Sequence, residues 1–329
     1  MKHQIELVLL ITLIIILSAS IYIKSITPKM YKITKLIHSN IKINFPLFAA
    51  KNKQNLQKIQ YENLILSAGQ IQFTVQHVKG DQNKPVFILP FMFGHGQSSC
   101  IRRMILQLIQ FDYDIYVILQ RGCGDDQMNQ QTQLTNEYLF NSDIEALHQY
   151  IGQKQFILIG YSLGAMKAIH FAAKNSKIIS KLLLLFTPFD PLYPQLFDDD
   201  LQAKMGEPIQ SWCLRNQQHL EYNGFQGDDL RAFVQDMTMK KWDQMQGKQL
   251  NLQINEYYEH INPNNLIQFI QTKTLMISVD GDEITGDYVP WNEIQQNKLV
   301  EFVMINRGKH LGCETEGGSG VMEILGIEW

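Results

Sequence analysis

Charge is scarce in this sequence. Asp, Glu, Lys and Arg make up 19% of the 329 residues and sum to a net charge of −3, so there is no basic surface for a polyanion and nucleic acid is not an expected partner. Cysteine is scarce too. Cys100, Cys123, Cys213 and Cys313 are scattered, without the spacing of a disulfide framework or a zinc site. No Asn-x-Ser/Thr acceptor for N-glycosylation occurs. These absences agree with a chain that does not fold in an oxidising compartment. No internal repeat is visible, and the frequent Gln and Asn reflect composition more than mechanism. The glycine-rich "RGCGDD", Arg121 to Asp126, lacks the lysine and spacing of a phosphate-binding loop. No metal or cofactor is implied.

One long apolar run stands apart. "LVLLITLIIILSASIYI", Leu7 to Ile23, carries no charge and at about 1.5 Å per residue crosses most of a bilayer core. A cleaved signal peptide is one reading, because Ser18, Ala19 and Ser20 offer small residues near a cleavage point. An uncleaved anchor is the other, and is preferred because the run exceeds the roughly 7 to 15 apolar residues of a signal peptide. Lys24, Lys29, Lys32, Lys35 and Lys42 follow the run, whereas only Lys2 and the amino terminus precede it. The positive-inside rule then places the remainder on the cytosolic side of a single-pass protein. The lysine-rich stretch that follows reads as a juxtamembrane helix or linker.

Beyond residue 60 the pattern changes. "NLILSAGQIQFTVQHVKG" reads as two short strands joined at Ala68 and Gly69. Six apolar runs then alternate with amphipathic stretches: Pro85 to Pro90, Ile115 to Gln120, Phe156 to Gly160, Lys181 to Phe186, Thr274 to Val279 and Glu301 to Asn306. Continuous apolar strands separated by helices imply a parallel sheet covered on both faces. Between Phe189 and Lys273 no such run appears, and the composition turns polar and aromatic. That interval is too long for a plain loop and is expected to be a helical lid. The boundaries that follow are 1–24 for the anchor, 25–60 for the linker, 61–188 and 274–329 for two parts of an α/β core, and 189–273 for the lid.

The chemistry centres on "QFILIGYSLG", Gln155 to Gly164. An apolar strand ends in two glycines flanking Ser162, as in a strand-to-helix turn that holds a nucleophile out. Such a pattern arises by chance in roughly one chain in ten of this length, so the serine needs partners to count. A hydroxyl requires a base, and the base a carboxylate to orient it. In a parallel sheet these should follow later strands at the same edge. The run ending at Val279 is followed by Asp280, Asp282 and Glu283, and the run ending at Asn306 by His310. The order serine, acid, histidine is that of an α/β-hydrolase. Oxyanion donors are expected from the amide of Leu163 and from the turn after Pro90, at Met92 or Phe91. His95 in that turn reads as a local hydrogen-bonding residue, Arg121 as structural support near the nucleophile, and Cys123 as a packed cysteine.

Taken together, "LPFMFGHGQSS", "LQRGCGDD", "GYSLGAMKA", "LRAFVQDMT", "QINEYYEHINP", "TLMISVDGDEI" and "RGKHLGC" resemble the YheT-like branch of the α/β-hydrolases. That branch includes the membrane-anchored abhydrolase-domain proteins one and three. The likeness runs from about residue 60 to 315. It implies Ser162 as nucleophile, Asp282 as acid and His310 as base, in a family of esterases or lipases, some of which act on phospholipid or acylglycerol chains. The sequence departs from the branch at Phe91, where relatives carry glycine, and in the spacing of Asp280 and Asp282, which keeps Asp280 as an alternative acid. The chain also ends at Trp329, soon after the histidine, so a short closing helix is expected.

The resulting expectation is an α/β-hydrolase fold with a helical lid and an N-terminal membrane helix. Its function would be cleavage of lipid acyl esters by Ser162, Asp282 and His310, with Met92 and Leu163 as oxyanion donors and membrane lipid as partner. Two other readings stay open: a non-catalytic hydrolase-fold protein that binds a lipid or partner, and an acyltransferase. No H-x4-D acyltransferase motif is present.

Overall fold

The computed structural model describes residues 33–37, 59–123, 141–222, 234–305 and 310–311. They belong to the compact unit Ile33–Trp329; the preceding unit, Met1–Lys32, lies outside them. The apolar run Leu7 to Ile23 and the segment after Leu311 are therefore also outside. Among the described residues no helix is long and apolar enough to cross a membrane.

In chain order the strands and helices are β1 (Ile33–Ile37), β2 (Glu62–Ala68), β3 (Ile71–Val78), β4 (Asp81–Leu89), α1 (Ser99–Ile109), β5 (Tyr113–Ile118), α2 (Ser142–Tyr150), β6 (Phe156–Tyr161), α3 (Leu163–Asn175) and β7 (Ile179–Leu185). They continue with α4 (Asp199–Arg215), α5 (Gln217–Tyr222), α6 (Met239–Gln249), α7 (Ile254–Ile261), β8 (Thr274–Val279), α8 (Trp291–Gln296) and β9 (Val300–Ile305). The strands form one sheet in the order β1-β9-β8-β7-β6-β4-β5-β3-β2. From β5 across to β9 every pairing is parallel, and β2–β3, β3–β5 and β1–β9 are antiparallel.

Each region follows from its sequence pattern. The β2–β3 hairpin turns on Gly69, whose φ of 65 suits the left-handed position of a two-residue turn. The central strands β4, β6, β7 and β8 are buried along their apolar runs, as expected of strands covered on both faces. Helix α3 packs Ala165, Ala168, Ile169, Phe171 and Ala172 into the main core with Leu89, Leu158 and Leu182. Its alanines let the helix lie close to the sheet. Phe87 and Phe156 stack across neighbouring strands with centroids 4.0 Å apart, within the range of favourable ring pairs.

Two sequence expectations need adjustment. Residues 33–37, assigned to a juxtamembrane linker, form β1 and pair with β9, which gives that sheet edge a hydrogen-bonded partner. The strand expected to reach Gln120 ends at Ile118, and Gln120 beyond it accepts from Phe93 N–H in the turn after β4.

β4 is bonded to β5 on one side and β6 on the other. Successive connections therefore leave β4 in opposite directions, which makes the carboxyl ends of β4 and β6 the topological switch point where ligands gather in open parallel sheets. Between β7 and β8 the described residues hold helices α4 to α7 and no strand. The helix starts are capped by Asp198, which accepts from Leu201 N–H at 2.8 Å, by Thr238, and by a Gln253/Glu256 capping box. Tyr257, Tyr258 and Ile261 of α7 pack on Met166 of α3. His170 of α3 donates to the Ile261 carbonyl at 3.0 Å. Within this segment, burial pushes the Asp243 carboxyl up to about 7, against the opposing hydrogen bond from Tyr258 OH at 2.8 Å.

The turn after β5 joins three parts of the molecule. Arg121 forms a bidentate pair with Asp143 of α2, Nε reaching Oδ2 at 3.1 Å and Nη2 reaching Oδ1, and Nη2 also donates to Ser142 Oγ at 2.9 Å. Both charges are buried. The Arg121 and Gly122 carbonyls accept from Trp212 Nε1 and Asn216 Nδ2 of the inserted helices at 3.2 and 3.3 Å. Arg121→Ala would leave the Asp143 charge without its partner and should cost about 3–5 kcal/mol. Urea unfolding checks this, and Arg121→Met combined with Asp143→Leu should recover most of the loss.

Candidate active site

Ser162 sits between β6 and α3 at φ 51 and ψ −114, a conformation non-glycine residues rarely adopt. The bonds around it hold this geometry: Ser162 N–H donates to Leu185 O of β7 at 2.8 Å, and Ser162 O accepts from Ala165 and Met166 N–H at 2.9 and 3.2 Å. The flanking glycines have a steric cause. A Cβ on Gly160 would strike the Gly164–Ala165 backbone, and one on Gly164 would run into the Leu89 and Pro90 carbonyl oxygens. The start of α3 thus lies directly against the end of β4.

The carboxyl ends of β6, β8 and β9 bring three side chains together. His310 Nε2 lies 2.9 Å from Ser162 Oγ, and His310 Nδ1 lies 2.9 Å from Asp282 Oδ2. An ionised carboxylate only accepts, so Nδ1 carries the proton and Nε2 is left to accept from the serine hydroxyl. Asp282 rather than Asp280 takes this place: Asp280 is exposed, while its amide donates to Ile305 O at 2.8 Å. Gly281, at φ 71, turns the chain between them. The other oxygen of Asp282 accepts from Ile284 N–H at 2.9 Å and Thr285 N–H at 3.3 Å. The Phe186 ring stands edge-on to the imidazole, with centroids 6.2 Å apart.

The expected oxyanion donors lie at the same edge. Leu163 opens α3, where an N–H has no acceptor within the helix. Met92 lies in the turn after β4, which Gly94 N–H closes on Phe91 O at 2.8 Å. Neither the Met92 nor the Leu163 amide donates to another described residue. His95 makes a local contact, its Nδ1 accepting from Gln97 N–H at 3.2 Å. Cys123 is buried, and burial pushes the Cys213 thiol up to about 12, where it is not a nucleophile at neutral pH. Among the described residues no three His, Cys, Asp or Glu side chains are grouped to hold a metal ion.

Several contributors were not legible as site residues. Gln120, Trp212 and Trp242 contact Phe93, the residue after Met92 in that turn. Only the position of Gln120 just after a strand at the shared edge offered a signal for any of them.

The electrostatics favour an ionised acid. Burial by itself would raise the Asp282 carboxyl, but the hydrogen bond and charge of His310, with the Ile284 amide and the Thr285 side chain, hold it below the usual value. A lowered folded value means its stabilisation is complete above the ordinary carboxylate value of about 3.9 and is lost as pH falls through the folded value. Urea unfolding at pH 6 and pH 3 should therefore show a larger loss for the wild type than for Asp282→Asn. Equal losses would contradict this.

Comparison with known proteins places this geometry in a family. The chain is 22% identical over 249 residues to the embryogenesis-associated protein EMB8 of Picea glauca, a match covering 70% of this chain and 53% of that one. It thus spans about half the length of that curated relative. Among solved structures it is similar in fold to the esterase Pf2001 of Pyrococcus furiosus, with a TM-score of 0.51, 15% identity and coverage of 86% of this chain and 90% of that one. It is likewise similar to E-2-(acetamidomethylene)succinate hydrolase, with a TM-score of 0.50, 13% identity and coverage of 76% and 92%. Residues 84–317, which hold Ser162, Asp282 and His310, match the family model described as alpha/beta hydrolase fold, and the chain belongs to that family.

Proposed function

We propose that this protein is a serine hydrolase that cleaves carboxylic esters, with lipid acyl esters as its substrate class. The observation that carries the reading is the continuous chain of 2.9 Å contacts from Ser162 Oγ through His310 to Asp282, on a serine at positive φ. Ser162 Oγ attacks the ester carbonyl as His310 Nε2 takes its proton. The developing oxyanion is met by the Leu163 and Met92 amides. His310 then returns the proton to the departing alcohol oxygen, leaving an acyl-enzyme. Water enters, gives a proton to the same nitrogen and attacks the acyl carbon, and collapse of the second tetrahedral intermediate releases the acid and restores Ser162. Asp282 keeps the imidazole in the required tautomer throughout.

A lipid substrate is supported by the inserted segment, which serves as a lid and turns apolar side chains to solvent: Leu196 is 75% exposed and Leu214 58%. Together with the apolar run Leu7 to Ile23, these favour an enzyme anchored at a membrane by its N-terminal segment, with the catalytic portion on the cytosolic side. The shared motifs favour the YheT-like branch within the family.

Fluorophosphonate labelling tests the chemistry. The wild type should label, and Ser162→Ala and His310→Ala should not, with circular dichroism confirming that each is folded; their ester turnover should fall on the order of 10^4-fold or more. A folded wild type that does not label would sink the hydrolase reading in favour of a binding protein. For orientation, protease added outside intact vesicles of cytosolic-side-out topology should digest the portion from Lys24 onward. Protection of that portion would contradict the cytosolic placement.

A further inference from the structure

Phe93 links the oxyanion turn to the inserted helices. Its backbone is held at φ 58, and its N–H donates to Gln120 Oε1 at 3.1 Å. Its ring is stacked near Trp212 of α4, with centroids 6.1 Å apart, and edge-on to Trp242 of α6 at 5.8 Å. The two indoles meet each other at 5.4 Å and are both 2% exposed. The Met92–Phe93 peptide is therefore tied at its nitrogen to the end of β5, while the next side chain is held by two helices of the insertion. The same strand end bonds the insertion directly, through the Arg121 and Gly122 carbonyls.

We propose that the insertion sets the oxyanion donor through this joint: Gln120 and Phe93 are positioning residues that aim the Met92 amide, and the Trp212–Trp242 pair makes that aim depend on the seating of α4 and α6. The inference rests on the hydrolase reading and names a control built into the same site. Loss of one oxyanion donor typically costs about 10^2- to 10^3-fold in kcat, and a misaimed donor should cost less. A structural role alone would not select kcat over KM, nor couple Phe93 to Trp242 in the rate.

The test uses the purified full chain, p-nitrophenyl butyrate as substrate, and the variants Gln120→Met, Phe93→Leu, Trp242→Leu and the Phe93→Leu/Trp242→Leu double. Each single variant should lower kcat by about 10- to 100-fold, with KM within about threefold and the midpoint of the pH profile of kcat/KM unmoved, since the histidine and aspartate are untouched. The double should be no slower than the slower single, because both changes release one joint. Gln120→Met keeps the side-chain length and removes only the acceptor, so it decides the matter if a ring variant does not fold. Folded variants with wild-type kcat, losses confined to KM, or losses that multiply in the double would each overturn the proposal while leaving the hydrolase reading intact. A folded wild type that neither labels with fluorophosphonate nor turns over the ester would overturn both.

Discussion

The close approach of α3 to the end of β4 governs the site. Because no Cβ fits at Gly164 against the Leu89 and Pro90 carbonyls, the helix that follows Ser162 can start directly beside the strand that precedes Met92. That contact brings the Ser162 turn and the Met92 turn side by side, and the parallel sheet brings Asp282 and His310 to the same edge. The strained conformation of Ser162 is sustained by backbone bonds to β7 and to the first turn of α3. Strain of this kind persists where the surroundings over-determine it.

Two buried carboxylates show how local environment divides chemistry from packing. Asp282 faces a histidine, the Ile284 amide and the Thr285 side chain, and these outweigh the cost of burying its charge. Asp243, in the insertion, has one hydrogen bond from Tyr258 to set against burial, and its carboxyl is pushed up to about 7. The same side chain is held below its ordinary value in one place and pushed above it in the other. The difference lies in the number of donors aimed at each.

The turn at Gln120–Gly122 is the second organising element. Its buried ion pair fixes α2, its carbonyls receive the inserted helices, and its first side chain holds Phe93. A short motif that resembled a phosphate loop in its glycines is a three-way structural joint.

The amino-acid sequence by itself determined the mostly parallel core of the sheet and the edge at which Ser162 and His310 meet, because strand runs are local patterns and a parallel sheet sends all its carboxyl ends one way. It narrowed the acid to two aspartates, and the turn at Gly281 was needed to separate buried Asp282 from exposed Asp280. Strand β1 was hidden in a lysine-rich stretch, since its partner is the last described strand, far along the chain. The pairing of Arg121 with Asp143, and of Phe93 with two tryptophans more than a hundred residues away, likewise leaves no periodic trace. Only tertiary structure decided these contacts, because they depend on how separate elements pack in space and not on any spacing along the chain.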